Sequence, residues 1–340
     1  MKKKYQNLFF IIGLSILMLM VTQLDFAEVY DGICRAGYWF AAVIGLWAFL
    51  YLFNTAAWWI IIHAPSAAQI DDSGKTKPTV AFSFFWLYKI TVSGFALNYA
   101  TPGGLMGGEP YKIMSLSPKI GTERATSSVI LHTMTHIFSH FWFWLLSCVL
   151  FLLTEEVHVA SAILLLVVTL FCLTAIWFFL KGYKRGIAQS LIQVLSHVPF
   201  VKRWALRIVE QYSASLTNID KQISALHNQN PRTFVKAVAL ELVCRILSAF
   251  EILFVILVIM PDANYVQCIL ILAFTSLIAN LLFFIPLQLG GREGGFLMSV
   301  NGLGFTSSTG IFVALIVRLR ELIWTGIGLL LIKFDKTTDS

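Results

Sequence analysis

The chain has 340 residues, 58% of them hydrophobic and 13% charged, with a mean hydropathy of +0.77 and a net charge of +7. Soluble domains are about half apolar and about a quarter charged, so this composition excludes an ordinary soluble protein and points to a polytopic membrane protein. The five cysteines, Cys34, Cys148, Cys172, Cys244 and Cys268, have neither metal-ligand spacing nor the look of a disulfide framework.

A membrane-crossing helix needs about 20 mostly apolar residues. In chain order the candidate runs are 8–24, 36–62, 81–100, 126–153, 159–180, 233–259, 267–285 and 308–332. The first follows Met1-Lys-Lys-Lys and resembles the start of a signal peptide. No small-x-small cleavage site follows it, so it is kept as the first span. Between 180 and 233 lies the longest polar stretch, with Lys181, Lys184, Arg185, Lys202, Arg203, Arg207, Lys221 and Arg232. Within it Leu206, Val209, Tyr212, Leu216, Ile219, Ile223 and Leu226 recur at steps of three and four. That is a one-sided apolar stripe on a helix, suited to the bilayer interface or to a partner.

If all eight runs alternated from a cytoplasmic N-terminus, basic segment 181–232 would lie outside, against the Lys/Arg bias of inner loops. Letting 81–124 enter from the cytoplasm and return, and 267–307 enter from outside and return, removes the conflict. Inner segments then hold 18 Lys and Arg, and outer loops hold one, Arg35. Both termini are cytoplasmic in this scheme.

The two hairpins carry similar motifs. Residues 101–116 read Thr-Pro-Gly-Gly-Leu-Met-Gly-Gly-Glu-Pro-Tyr-Lys-Ile-Met-Ser-Leu, and residues 285–300 read Ile-Pro-Leu-Gln-Leu-Gly-Gly-Arg-Glu-Gly-Gly-Phe-Leu-Met-Ser-Val. Pro102 precedes Glu109 and Pro286 precedes Glu293 by the same interval, with Gly103, Gly104, Gly107 and Gly108 in one copy and Gly290 and Gly291 in the other. Glycine and proline break helices. Non-helical backbone at membrane depth survives only where protein covers it or water lines it. The expected fold is all-α, with about six full transmembrane helices and two oppositely oriented re-entrant hairpins. It forms one polytopic domain over 1–340, with repeats at about 36–153 and 233–332 related by inversion.

Ionisable residues inside such runs are candidate functional groups. Glu109 and Glu293 stand where helices restart. There a carboxylate either caps the bend or works beside an anion-binding helix N-terminus. Arg245, Arg292, Arg318 and Arg320 must face a cavity or a carboxylate. Glu241 lies one helical turn before Arg245, Arg292 adjoins Glu293, and Glu321 follows Arg320. These arginines either pair structurally or hold a phosphate. Lys112 belongs to the first motif. His132, His136 and His140 share one helical face. Metal binding, proton transfer and a polar cavity wall all fit that row, though no Cys or Asp cluster supports metal. Asn54, Asn98 and Asn280 are lesser candidates of the same sort. No P-loop, G-x-S-x-G, H-E-x-x-H or C-x-x-C motif is present.

The Pro102–Pro110 motif, the Pro286–Glu293 stretch, the basic middle segment and the Arg318-Leu-Arg320 … Gly326 end together resemble the lysylphosphatidylglycerol synthase transmembrane-region family. Its best-known member is the flippase half of the bacterial multiple peptide resistance factor. The resemblance covers roughly 8–332 and implies a domain of a bacterial-type cytoplasmic membrane that binds or moves amphiphilic lipids. Family members often carry an arginine early in the span after the first motif. Here that region reads Ile130-Leu-His-Thr-Met-Thr-His136, with Arg124 earlier. The chain ends at Ser340 without the soluble aminoacyl-transferase half, so lysyl-lipid synthesis by the chain alone is not expected.

The combined reading is a flippase-like protein. It places Glu109, Glu293, Arg292, Arg245, Arg318, Lys112 and His136 around the headgroup of a phospholipid or polyprenyl-type lipid, and rocking of the repeats would pass the headgroup across. Alternatives are a membrane-embedded enzyme acting on a lipid phosphate, or a scaffold for a separate lipid-modifying synthase. No cofactor, metal or nucleic-acid partner is expected, and a homo-oligomer is compatible with the sequence.

Overall fold

The computed structural model describes residues 26–64, 82–100, 107–183, 231–282 and 291–334, with isolated positions between 7 and 18. The first span, segment 184–230 with its apolar stripe, and the motif residues Pro102, Gly103, Gly104, Pro286 and Gly290 lie outside the described residues.

The described residues form ten helices and no strand. They are α1 (Phe26–Ala36), α2 (Tyr38–Ile62), α3 (Phe84–Ala100), α4 (Gly108–Ile120), α5 (Thr122–Thr154), α6 (Val159–Tyr183), α7 (Pro231–Leu257), α8 (Tyr265–Leu281), α9 (Gly291–Gly302) and α10 (Ser307–Lys333). By length and composition, Tyr38–Ile62, Thr122–Thr154 and Val159–Leu180 are long and apolar enough to cross a membrane. Helices α7 and α10 are 27 residues each but carry buried charges. The protein is an α-helical membrane protein.

Several helix boundaries among the described residues fall at glycines. Run 36–62 starts a new helix at Tyr38, after Gly37. Run 126–153 extends back to Thr122, just after Gly121, whose φ of 83° suits a residue without Cβ. Gly304, with φ 80°, plays the same part between α9 and α10. Asn264 caps α8 by accepting from the Val266 N–H at 2.9 Å.

Packing centres on α2 and α7, which share the most extensive helix contact. They run antiparallel: Trp39 stacks on Phe254, Trp47 bonds Glu251, and Asn54 bonds Glu241. Around this pair the neighbours recur. Helix α3 packs on α2, α4 and α10, while α8 packs on α7, α9 and α5. Helix α4 packs on α5 as α9 does on α10.

The apolar clusters recur as well. Leu87, Leu116 and Val129 sit in one, and Ile271, Val300 and Val313 in another, all almost wholly buried. Each member of the second trio lies 184 positions after its counterpart, the same shift that carries Glu109 onto Glu293. Helix α6 packs on α5 and exposes Ile163, Leu166, Leu170, Leu173 and Trp177, a face suited to lipid chains.

Candidate functional site: a charged cavity among the helices

A cavity of about 630 Å³ lies among these helices, within the usual range of ligand pockets. Four cations line it, Lys112, Arg245, Arg292 and Arg320, together with four carboxylates, Glu109, Glu241, Glu251 and Glu321. Each charge would cost at least about 2.5 kcal/mol facing lipid near the bilayer centre. Enclosure by the helices keeps these charges from lipid, and several of them pair directly.

Helix α4 delivers Glu109 and Lys112. The side chain of Asn98, at the end of α3, accepts from the Gly108 N–H at 2.7 Å and donates to Glu109 Oε1 at 3.0 Å. One amide thus satisfies an orphan donor at the start of α4 and aims the glutamate. Lys112, one turn on, is 2% exposed and sits 3.5 Å from Glu109. Its ammonium lies 4.9 Å from the centre of the Phe95 ring, within cation–π range.

Helix α7 presents Glu241, Arg245, Ser248 and Glu251 to the cavity. Glu241, 1% exposed, accepts from Asn54 Nδ2 at 2.9 Å and contacts His136 Nδ1 at 2.8 Å. His136 Nε2 in turn receives a hydrogen bond from Arg245 at 3.0 Å, and Arg245 Nε donates to Ser139 at 2.9 Å. The turn-spaced Glu241 and Arg245 therefore form no direct ion pair and are joined through His136. Glu251 accepts two bonds from Arg320, at 2.7 and 2.9 Å, and a third from Trp47 at 3.0 Å. Arg320 also stacks over Trp47 at 3.9 Å. Arg292 donates to Glu321.

Of the residues singled out in the sequence, Glu109, Lys112, His136, Arg245 and Arg292 come together on this cavity, with His132, His140, Asn54, Asn98 and Asn280. Glu293 and Arg318 pair with each other and are not among its lining residues. The sequence neighbours Arg292 and Glu293 take separate partners on α10, because adjacent helical residues point about 100° apart. Arg124 donates to the Ile62 carbonyl at 2.8 Å, away from the cavity. Glu251 was missed in the sequence. A carboxylate inside the apolar run 233–259 is the signal that would have found it. Among the described residues no group of three or more His, Cys, Asp or Glu is arranged to hold a metal.

Residues 8–328 match the family described as Lysylphosphatidylglycerol synthase TM region. The chain belongs to that family. Membership of this membrane-embedded, lipid-related family accords with the apolar helices, and the chain is a multi-pass membrane protein. No curated protein and no solved structure matches the chain.

Proposed function

We propose that this family member moves the headgroup of a phospholipid or related amphiphilic lipid across the bilayer, with the acyl chains left in the membrane. The observation that carries the reading is the cavity: a headgroup-sized space whose mostly apolar wall carries three arginines and a lysine. Arginine suits phosphate because its fork can donate two parallel hydrogen bonds. In this reading Arg245 and Arg292 take the phosphate. Glu109, Lys112 and His136 contact the rest of the headgroup, and the Glu293–Arg318 pair ties α9 to α10.

The proposed architecture has full spans at 8–24, α2, α5, α6, α7 and α10, with re-entrant hairpins α3–α4 and α8–α9. The recurrence of contacts supports an inverted repeat. Trp144 bonds Ser276 at 3.0 Å, and shifting each position by 184 gives Gly328 and Val92, which also touch. Swapping partners under one shift is the mark of a two-fold relation. In this reading α2 and α7 are equivalent, and their antiparallel course supports an axis across the helices, in the membrane plane.

Purified protein in phosphatidylcholine vesicles that contain NBD-labelled phosphatidylglycerol tests the function. Dithionite should quench inner-leaflet label only as the protein carries it outward, with no chemical change to the lipid. Labelled lipid that is modified would show an enzyme. Label that stays in place beside a stably folded protein would remove the transport reading.

A further inference from the structure

We propose that a proton travels with the headgroup, and that its carrier is the Glu241–His136 pair, which releases and recaptures Arg245. The inference rests on the lipid reading above and names its coupling ion.

The buried charges divide into two kinds. Lys112, Arg292 and Arg320 each touch a carboxylate directly, as does Arg318 outside the cavity. Arg245 is different. No carboxylate lies within hydrogen-bond or ion-pair reach of it among the described residues, and its link to one is an imidazole. Glu241 is its complement. The groups that bond or face it are Asn54, His132 and His136, with no lysine or arginine among them. A carboxylate and a guanidinium are thus separated by the one side chain whose charge ordinarily changes near neutral pH.

The hydrogen bonds fix the resting state. Arginine offers only donors, so His136 Nε2 accepts from Arg245, and Nδ1 carries the hydrogen that goes to Glu241. A proton arriving at Nε2 makes it a donor, aimed at another donor 3.0 Å away. That bond is lost, and Arg245 is left with Ser139 and the His136 carbonyl. A second place for the proton lies alongside. His132 Nε2 and Glu241 Oε1 are 3.3 Å apart, both buried, and neither makes a hydrogen bond. His140, ring centre 5.5 Å from that of His136, continues the row along the cavity wall.

The surroundings leave this cluster as the site of charge change. Helix α2 brings Tyr51 and Asn54, and α8 brings Ser276 and Asn280, none of them a formal charge. From α4 comes the closed Glu109–Lys112 pair, and from α9 and α10 come Arg292, Arg320 and Glu321, paired among themselves and with Glu251. Helix α7 adds Cys244, whose thiol faces the Leu50 carbonyl.

The cycle balances with one proton. His136 takes it from the side where the headgroup enters, and the freed Arg245 meets the phosphate. On the far side the headgroup leaves, Arg245 returns to Nε2, and the proton departs there. No covalent bond other than N–H changes. A phosphodiester anion and one proton cross as a neutral pair, so the membrane potential does not oppose them.

The test uses phosphatidylcholine vesicles with the full chain, NBD-phosphatidylglycerol in the outer leaflet and pyranine inside. Acidifying the outside by one pH unit should speed inward movement several-fold, and pyranine should report acidification that accompanies the lipid. The ratio of rates with and without the gradient should fall to one in His136→Gln and Glu241→Gln and persist in Glu241→Asp. His136 is 29% exposed, so its variant reads the ratio even where a change at Glu241 impairs folding. Lipid that moves equally fast with and without the gradient overturns the coupling alone. A gradient response that survives in both variants overturns the carrier. An absence of any lipid movement overturns the lipid reading and the coupling with it.

Discussion

The helix pairs α3–α4 and α8–α9 have a common frame and different fillings. Both bring a glutamate into the first turn of a short helix, and both bury counterpart core residues, Leu116 in one and Val300 in the other. In the first, polar groups hold the start of α4: Asn98 bonds Gly108 and Glu109, and Lys112 pairs with Glu109. In the second, the residue 184 positions after Asn98 is Leu282, which packs on Gly291, and the counterpart of Lys112 is the buried Phe296. Glu109 turns into the cavity, whereas Glu293 is 39% exposed and reaches Arg318. The two pairs thus share buried apolar positions, while the asparagine and the lysine that hold the first glutamate have apolar counterparts in the second.

That division can be broken by experiment. The largest effect is expected at Lys112. Lys112→Met leaves a mostly buried carboxylate without its cation, which costs roughly 3–5 kcal/mol. The exchange Phe296→Met, of one apolar residue for another, costs under about 1.5 kcal/mol. Thermal unfolding in detergent measures both. The double variant Lys112→Met, Glu109→Gln should be milder than the sum of its parts, because paired sites are not additive. Equal losses at positions 112 and 296 would mean that the two helix pairs are built alike.

The glycines come next. A Cβ on Gly108 would lie 2.1 Å from the Gly94 carbonyl oxygen, whereas on Gly291 it would meet a Leu282 methyl at 3.1 Å. Backbone cannot give way as a leucine side chain can. Gly108→Ala should cost about 3 kcal/mol, the upper end for overpacking, and reduce labelled-lipid movement more than tenfold. Gly291→Ala should stay within a few-fold of the parent. The reverse order would show that the tight approach lies in the second pair.

The smallest effect sharpens the comparison at the flanks. Ser93 donates to the Gly328 carbonyl at 3.1 Å, and its counterpart 184 positions on is the apolar Leu277. Ser93→Ala should lower stability by about 1 kcal/mol, one ordinary hydrogen bond, and leave α7–α9 untouched in hydrogen exchange.

The positions of the breaks were legible because glycine and proline mark them, and residues 108 and 291 do begin helices. The membership of the charged set was partly legible, since a charge in an apolar run has few permitted places. Its pairings were not. Glu241 lies one turn from Arg245 yet bonds His136, 105 positions away, and Arg292 passes over its neighbour Glu293 for Glu321. Such choices depend on which helical faces meet, and that is set by side-chain packing along α2, α5, α7 and α10 rather than by spacing within one helix.

The antiparallel seam of α2 and α7 carries a mechanical consequence. It is joined at one end by Trp39 on Phe254, in the middle by Asn54 on Glu241, and at the other end by Ala57 and Ile61 among Phe234, Ala237 and Val238. A joint fastened along its whole length is a keel: any movement between the halves, rocking included, would have to break these contacts or carry them along. The short helices α4 and α9 have their extensive contacts elsewhere, with α3 and α5 and with α8 and α10. Arg245 and Glu241 thus sit on the seam itself, while Glu109, Lys112 and Arg292 reach the cavity from the short helices beside it.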